Sequence, residues 1–455
     1  MRPMRLAPAV LPLIALCACG ELTVPDYNNT SLDDLRNNPT PAKVAQAAQG
    51  LLVGTRTMFG PQNGYISLLG IVGRESYNFD AADPRFITEM LIGPLDGGSP
   101  AFGGNLFGAP YLNIRNANTL LDAVGETPGM SAEDMDAVRG FAKTIQALDY
   151  LLVINTRDEY GAPIASGGDP RDPPAPIASK AEVFAHIVQL LDEAKTHLQA
   201  AGSTFPFTMS PGFADFATPA DFLEFNRAIK ARVDVYMGNY SAALTSLSES
   251  FLDTSAPLDF GAYHTYTTGS GDLQNLLFDP TGRAILAHPS IVTDAQQRPG
   301  GSPDLRLTTK VVPRAEGPRT VQGITTDVVF SIYNSNTAPI PVITNEELIL
   351  LRAEARLFTS DIPGAIQDLN LIRTTAGGLG NYAGPSTEAA VLDELLYNRR
   401  YSLLFQGGHR WIDARRFDRL ATLPLAVAGH TVQPRFPFPE AECLARVPAP
   451  TEGCG

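Results

Sequence analysis

Two stretches of this 455-residue chain repeat each other, and they restrict its fold more than any other feature. Residues 230–244 (KARVDVYMGNYSAAL) and 352–366 (RAEARLFTSDIPGAI) align without a gap, with Ala231 opposite Ala353. Each stretch has an apolar helical face, a short polar turn and a second apolar face, which is the pattern of a tetratricopeptide-type hairpin. Such pairs cannot bury their faces alone, so they stack into a solenoid-like scaffold. An ordinary antiparallel helix pair in an all-α core is the alternative.

Helical periodicity extends over most of the chain. Ser179 and Glu182 form a capping box before an apolar-periodic run, Thr218 precedes Pro219, and Thr344 with Glu347 predicts a second capping box. Further helices are predicted at about 40–58, 111–124, 132–157, 238–252, 361–375 and 387–406.

Two segments between these helices have a different composition. Residues 59–110 and 254–343 are rich in Gly, Pro, Asn and Ser, with short β-like runs at Thr308–Val312 and Asp327–Tyr333. The fold prediction is therefore mainly α: a tetratricopeptide-like helix-pair scaffold that carries long irregular insertions and minor β-hairpins. It forms a single domain over 19–455, with scaffold segments at about 30–58, 111–252 and 344–420.

The N-terminus has the pattern of an export signal. Arg2 and Arg5 precede an apolar stretch that is too short to span a bilayer, and the stretch ends in Leu-Cys-Ala-Cys. This ending resembles a bacterial lipobox, which predicts a lipoprotein signal peptide over residues 1–18 and lipid attachment at Cys19. Cys17 fits less well because bulky Leu16 precedes it. An ordinary secretory signal is the alternative.

The charge balance and the missing motifs exclude several function classes. With 34 basic and 48 acidic residues, the net charge of −14 disfavours binding to nucleic acid. The sequence contains no P-loop, no HExxH and no nucleophile elbow, so no catalytic residue, metal site or cofactor is predicted. In an exported protein Cys443 and Cys454 are candidates for a disulfide, and two free thiols are the alternative.

Three blocks in the C-terminal third carry a family resemblance. EELILLRAEARL with GAIQDLNLIRTTAG, then LLYNRRYSLLFQGGHRWIDARRF, then RFPFPEAE closely resemble the SusD/RagB family of nutrient-uptake lipoproteins. ELTVPDYNNTS after the lipobox and YLNIRNANTLL at 111–121 extend the likeness to nearly the whole chain. The chain departs from the family at Ser402 and Gln406, where acidic residues are usual, and at Gly407-Gly408.

The resemblance implies a function as well as a fold. Members of the family are lipid-anchored at the extracellular face of the bacterial outer membrane, above a SusC-like TonB-dependent transporter. They bind oligosaccharides, sometimes peptides, and catalyse no reaction. This chain is accordingly predicted to be a non-enzymatic binding protein with such a transporter as its partner. A tetratricopeptide-type scaffold for another protein and an extracellular hydrolase are the alternatives.

The resemblance supplies no ligand motif, so the site prediction depends on residue type. Sugars are bound by aromatic faces and by polar side chains that reach their hydroxyl groups, and binding residues concentrate in loops on a rigid scaffold. The predicted ligand-binding residues in the two insertions are Arg74, Tyr77, Asn78, Tyr263 and Tyr266.

Four residues near the C-terminus are predicted to be structural anchors. Arg410, Trp411, Asp413 and Arg416 keep the family's pattern and would tie the last long helix to the scaffold. Trp411 is the only tryptophan of the chain, and its burial would leave sugar stacking to tyrosine and phenylalanine.

Overall fold

The computed structural model describes residues 32–98, 104–164 and 173–454. The predicted signal peptide and Cys19 lie outside these residues. The described chain is mainly helical, as the sequence predicted. Its helices up to residue 248 are α1 (Leu32–Asn37), α2 (Pro41–Arg56), α3 (Tyr65–Val72), α4 (Arg85–Ile87), α5 (Asn105–Gly125), α6 (Ala132–Arg157), α7 (Lys180–Ala200), α8 (Pro219–Tyr236) and α9 (Tyr240–Ser248).

The remaining helices follow the second insertion or lie within it. They are α10 (Ser290–Thr293), α11 (Leu305–Lys310), α12 (Asn345–Phe358), α13 (Ile362–Thr375), α14 (Glu388–Ser402), α15 (His409–Arg416) and α16 (Glu440–Leu444).

Short strands in the described residues pair two by two, all antiparallel. The pairs are β1 (Ser76–Asn78) with β5 (Ile285–Ala287), β2 (Ala162–Pro163) with β3 (Ile177–Ala178), β4 (Gly261–His264) with β10 (Ile340–Thr344), β6 (Val311–Pro313) with β9 (Val328–Phe330), and β7 (Arg319–Val321) with β8 (Ile324–Thr326). Since β1 pairs with β5, the two insertions contact each other rather than folding separately.

The two repeated stretches form helix pairs that pack together. Helices α8 and α9 make one pair, α12 and α13 the other, and α12 contacts both α8 and α9. Ala231 and Ala353, the aligned small residues of the two repeats, are both buried. Tyr240 stacks on Phe358 across the two pairs, with ring centroids 4.7 Å apart.

The predicted caps at the helix N-termini differ in outcome. The capping box of Ser179 and Glu182 forms at the start of α7, and Thr218 accepts a bond from the backbone of Asp221 at the start of α8. The second predicted capping box is wrong, because the Thr344 side chain makes no capping bond. Glu347 instead accepts two hydrogen bonds from buried Arg232, at 2.6 Å from Nε and 2.7 Å from Nη2.

The insertions contain more regular structure than predicted. Every residue of α3 is buried, and its sequence YISLLGIV is apolar nearly throughout, so it has no polar face to reveal a helical period. The run Thr308–Val312 is not a strand throughout, since α11 extends to Lys310 before β6 begins. From Asp327–Tyr333 only the residues of β9 pair.

The helix predicted over 387–406 ends at Ser402, and a tight turn leads to α15. Gly408 has a φ of 69°, and a Cβ there would lie 2.4 Å from the Cβ of Leu69. Only glycine combines that backbone conformation with this close approach to α3. The turn therefore sets where α15 and the residues on it pack. At the C-terminal end, Cys443 and Cys454 form a disulfide.

Candidate functional site

A groove of about 480 Å³ lies where the C-terminal end of α2 meets two loops of the chain. The loops are 208–211, which precedes α8, and 265–272, which follows β4. We call it the α2 groove; its lining residues are Gln49, Leu52, Val53, Arg56, Thr208, Met209, Ser210, Pro211, His264, Thr265, Tyr266, Thr267 and Asp272.

Arg56 fixes the 265–272 loop to α2. Its guanidinium donates to the carbonyl of Thr265 and to the carboxylate of Asp272, and it lies over the ring of Tyr266 at 5.8 Å. Asp272 also accepts from the hydroxyl of Thr267 at 2.7 Å. Burial opposes ionisation of Asp272, but these hydrogen bonds and the Arg56 charge keep its pKa below the usual value. One wall of the groove is therefore an ordered, charged loop.

The opposite wall is held by α2 itself. Gln49 donates to the carbonyl of Thr208 at 3.1 Å, which ties the 208–211 loop to the helix. Val53 is 46% exposed, while its neighbour Leu52 is buried, and both line the groove. The groove lining thus combines apolar and polar side chains, which suits a ligand with both C–H faces and hydroxyl groups.

His264 contributes a buried imidazole to the lining. Its ring packs on Phe59 at 4.8 Å, and its Nε2 has no hydrogen-bond partner. Burial, reinforced by the positive charge of Arg56, lowers the pKa of His264 to about 3. The ring is therefore neutral at physiological pH. Throughout the described ranges, no cluster of three His, Cys, Asp or Glu has the geometry of a metal site.

Three predicted ligand residues of the first insertion lie inside the protein. Arg74, Tyr77 and Asn78 are each at most 2% exposed. Arg74 donates to backbone carbonyls, among them those of Ile71 at 3.0 Å and Pro424 at 3.1 Å. These side chains are brought together by β1, but they contact protein and not solvent in this conformation.

The two predicted residues of the second insertion are separated. Tyr266 lines the α2 groove, although its ring is only 3% exposed and its hydroxyl donates to the carbonyl of Arg56 at 3.4 Å. Burial raises the pKa of Tyr266 above its usual range. Tyr263 is more exposed, lies outside the groove lining and donates to the carbonyl of Asp259.

The four predicted anchors make extensive contacts around α15. Trp411 is fully buried, donates to the carbonyl of Gln433 at 2.8 Å and meets Phe436 edge to face. Asp413 accepts from Arg399 at 2.6 Å and from Arg416 at 3.1 Å.

The other two anchors connect α15 to elements far away in sequence. Arg416 binds the carboxylate of Glu354 on α12 and the carbonyl of Val235 on α8. Arg410 donates to the carbonyl of Arg74 at 2.6 Å, which ties α15 to the first insertion.

Sequence reasoning missed most of the α2 groove. Gln49, Val53 and Arg56 lie in a helix that was assigned to the scaffold, and no motif distinguishes them from its other surface residues. The one available signal was spacing: Gln49, Val53 and Arg56 fall at i, i+4 and i+7, on a single helical face.

Among the described residues, no helix is long and apolar enough to cross a bilayer.

Comparison with known proteins finds similar solved structures but no match by sequence. No protein-family model and no curated protein sequence matches the chain. A SusD-like carbohydrate-binding protein from Bacteroides fragilis NCTC 9343 is similar with a TM-score of 0.68 at 13% identity, covering 86% of this chain and 88% of that one.

Two further solved structures agree over similar lengths. A SusD superfamily protein from Bacteroides vulgatus ATCC 8482 has a TM-score of 0.66 at 16% identity, covering 86% of this chain and 91% of that chain. Surface glycan-binding protein A from Bacteroides uniformis has a TM-score of 0.64 at 14% identity, covering 83% and 88%. Over most of its length the chain therefore has the SusD-like fold that the sequence predicted.

Proposed function

We propose that this protein is a lipid-anchored surface protein that binds an oligosaccharide and passes it to a SusC-like TonB-dependent transporter in the outer membrane. The observation that carries the proposal is the SusD-like fold, which it has in common with proteins described as carbohydrate-binding and glycan-binding. The α2 groove is the proposed binding site. Its volume of about 480 Å³ is within the usual range for small-molecule sites.

The groove has the two kinds of contact that a sugar needs. Val53, Met209 and Pro211 offer apolar surface for the C–H face of a pyranose ring. Gln49 and the Asp272 loop offer amide and carboxylate groups for its hydroxyls. No catalytic step is proposed, because the charged pair in the lining, Arg56 and Asp272, already neutralises itself in a structural contact.

The binding proposal is tested by blocking the groove. Val53→Arg places a long charged side chain between the two loops, and we expect it to abolish retention of the protein in affinity gels that contain its oligosaccharide. The matched control is Leu112→Arg, since Leu112 is also an exposed helical residue, at 60% exposure, but lies outside the lining. Screening first uses a panel of oligosaccharides and peptides with the unmodified protein.

Each outcome of this screen has a distinct meaning. Binding to oligosaccharides that Val53→Arg loses and Leu112→Arg retains supports the proposal. Binding to peptides alone, or turnover of a panel member, contradicts it in favour of a peptide receptor or a hydrolase. Oligosaccharide binding that Val53→Arg retains rejects the α2 groove as the site while leaving the ligand class intact.

The anchor and the transporter are tested in cells. Cys19→Ala should release the protein from the outer-membrane fraction, and normal membrane retention of that variant would contradict lipid attachment at Cys19. A SusC-like transporter should co-purify with the acylated protein after mild detergent extraction. Recovery of the protein without any TonB-dependent transporter would contradict the proposed transfer.

A further inference from the structure

A second concave site lies between α14, α15 and the residues that follow α15. It has a volume of about 240 Å³, and its charged lining residues are three arginines and two aspartates. We call it the arginine cleft. Arg400 comes from α14, Arg410 from α15 and Arg419 from the loop beyond, while Tyr397 and Leu423 contribute aromatic and apolar surface.

Arg410 is the residue in the cleft whose charge is least compensated. Its Nη1 donates to the carbonyl of Arg74, and it forms no ion pair with any carboxylate of residues 32–98, 104–164 and 173–454. Nearby arginines behave differently: Arg399 binds Asp413 through two nitrogens, and Arg416 binds both Asp413 and Glu354. The remaining N–H groups of Arg410 are therefore available to a ligand in the cleft.

Arg400 adds a second positive charge beside Arg410. Its two terminal nitrogens bind Asp294 at 2.7 Å and Ser290 at 2.8 Å, and its buried Nε has no partner. Burial and the neighbouring charge of Arg400 lower the pKa of Arg410 to about 9. The positive charge of Arg400 acts on Arg410 even though Asp294 is bonded to Arg400, and a further anion bound beside Arg410 would offset this repulsion.

The acids near the cleft do not provide that anion. Asp294 is already bonded to Arg400, and Asp393 is bonded to Arg419. Asp413, which also lines the cleft, is bonded to Arg399 and Arg416. Burial raises the pKa of Glu75 to about 7, so Glu75 is only partly ionised at neutral pH, and it forms no ion pair with Arg410 in the part of the chain that the structure describes. Arg410 is therefore the arginine of the cleft lining that no carboxylate of the described residues pairs.

From this geometry we infer that the arginine cleft binds the carboxylate of an acidic sugar, a uronic acid residue within the glycan ligand. Guanidinium groups recognise carboxylates through paired N–H donors, while Tyr397 and Leu423 suit the apolar face of a pyranose ring. The inference rests on the proposed glycan-binding function and names the ligand class. The net charge of −14 favours a glycan with isolated carboxylates over a densely charged polymer.

The test compares sugars that differ only in the carboxylate. D-glucuronate and D-galacturonate, their methyl esters, and D-glucose and D-galactose are titrated against the protein by ligand-observed NMR. We expect at least one uronate to bind at least tenfold more tightly than its methyl ester and its neutral counterpart. The preference should weaken as salt is raised, because exposed charges are screened.

Three variants locate the binding. Arg410→Gln and Arg419→Gln should each weaken uronate binding at least tenfold. Arg419 is about one third exposed, so its variant is expected to fold normally even if Arg410→Gln is unstable. Arg283→Gln removes an exposed arginine outside the cleft lining and should leave uronate binding unchanged.

The outcomes separate this inference from the proposed function. Equal affinity for uronates and their methyl esters, or unchanged uronate binding in both cleft variants, overturns the inference. If neutral oligosaccharides bind in the α2 groove and no uronate binds, the inference about the arginine cleft is wrong, but the proposed glycan-binding function is still supported. Binding of acetylated glutamate peptides in place of uronates would overturn the assignment to a sugar.

Discussion

Two buried polar clusters, one in each half of the helical scaffold, join their helices by different chemistry. In the first half, Asn113 on α5 donates to Asp149 on α6 at 2.7 Å and to Thr55 on α2 at 3.0 Å. This cluster contains no cation. In the second half, Arg232 on α8 and Glu347 on α12 form a buried ion pair.

The difference shows that the ionisation of a buried carboxyl group depends on the charge of its partner. Burial raises the pKa of Asp149 to about 8, because hydrogen bonds from Asn113 and Thr55 compensate only part of the lost hydration. Burial acts in the same direction on Glu347 and is the largest single influence, but the charge and hydrogen bonds of Arg232, together with the charges of His409 and Arg399, outweigh it and lower the pKa of that carboxyl. Asp149 is therefore largely protonated at neutral pH, whereas Glu347 is ionised.

The largest expected effect comes from breaking the buried ion pair. Glu347→Ala leaves the Arg232 charge buried without its carboxylate, and we expect the free energy of unfolding to fall by about 3–5 kcal/mol. Urea denaturation at pH 7 measures the change. The matched control is Glu249→Ala, which removes an exposed ion pair with Lys195 and should cost less than about 1 kcal/mol.

A double variant distinguishes unpaired charge from lost packing. Arg232→Met combined with Glu347→Leu buries no charge, so it should recover most of the stability that Glu347→Ala loses. A double variant as unstable as Glu347→Ala would contradict the view that the unpaired charge is responsible.

The second prediction is a gain in the free energy of unfolding, and its size depends on pH. Asp149→Asn should stabilise the protein by at least about 2 kcal/mol at pH 8, and the gain should disappear near pH 4. The folded state of the unmodified protein keeps the Asp149 proton up to a pKa of about 8, whereas the unfolded chain releases it near the ordinary aspartate pKa of 3.8. Stability attributable to Asp149 is therefore complete below about pH 4 and falls as the pH rises through 8.

The measurement is denaturant unfolding of both proteins at several pH values. Asp122→Asn on α5 is the control, because Asp122 is exposed and its substitution should not change stability at any of these pH values. If the difference in the free energy of unfolding between Asp149→Asn and the unmodified protein stayed constant across this pH range, the pKa of Asp149 would be the same in the folded and unfolded states, which would contradict the prediction.

The smallest effect comes from a neutral hydrogen bond in the same cluster. Thr55→Val keeps the side-chain shape but removes the hydroxyl that donates to Asp149 at 3.1 Å, and we expect a loss of about 1 kcal/mol in unfolding experiments. Thr245→Val is the control, since Thr245 is exposed and the expected change is below about 0.5 kcal/mol. If Thr55→Val lost as much stability as Glu347→Ala, the neutral cluster around Asp149 would depend on its hydrogen bonds as strongly as the other cluster depends on its buried ion pair, which would contradict the comparison.

Local sequence signals predicted the scaffold well where one face of a helix is buried. The apolar spacing behind Ser179 located α7 with its capping box, because a helix that faces both core and solvent must show that period. The same reasoning failed at α3, which is buried on all sides, and at Thr344, because Glu347 is engaged by Arg232 from more than one hundred residues away.

The candidate site was less accessible to sequence reasoning. Residue type favoured Tyr77 and Arg74 as ligand contacts, but pairing of β1 with β5 places them in the interior. The α2 groove is formed by segments around residues 53, 209 and 266, so no local pattern joins them. The groove exists only because the folded chain places both loops against α2.

By itself the sequence predicted the helical pairs from their apolar period, and the order of its motif blocks predicted the SusD-like fold by resemblance, because both are local properties of the chain. It left the pairing of Cys443 with Cys454 open against two free thiols, and the structure joins them. Only the tertiary structure decided which charges are compensated. Arg399 and Arg410 lie near each other in one motif, yet Arg399 meets Asp413 and Arg410 meets a backbone carbonyl. Electrostatic pairing depends on distances between side chains, and those distances exist only after the helices have packed.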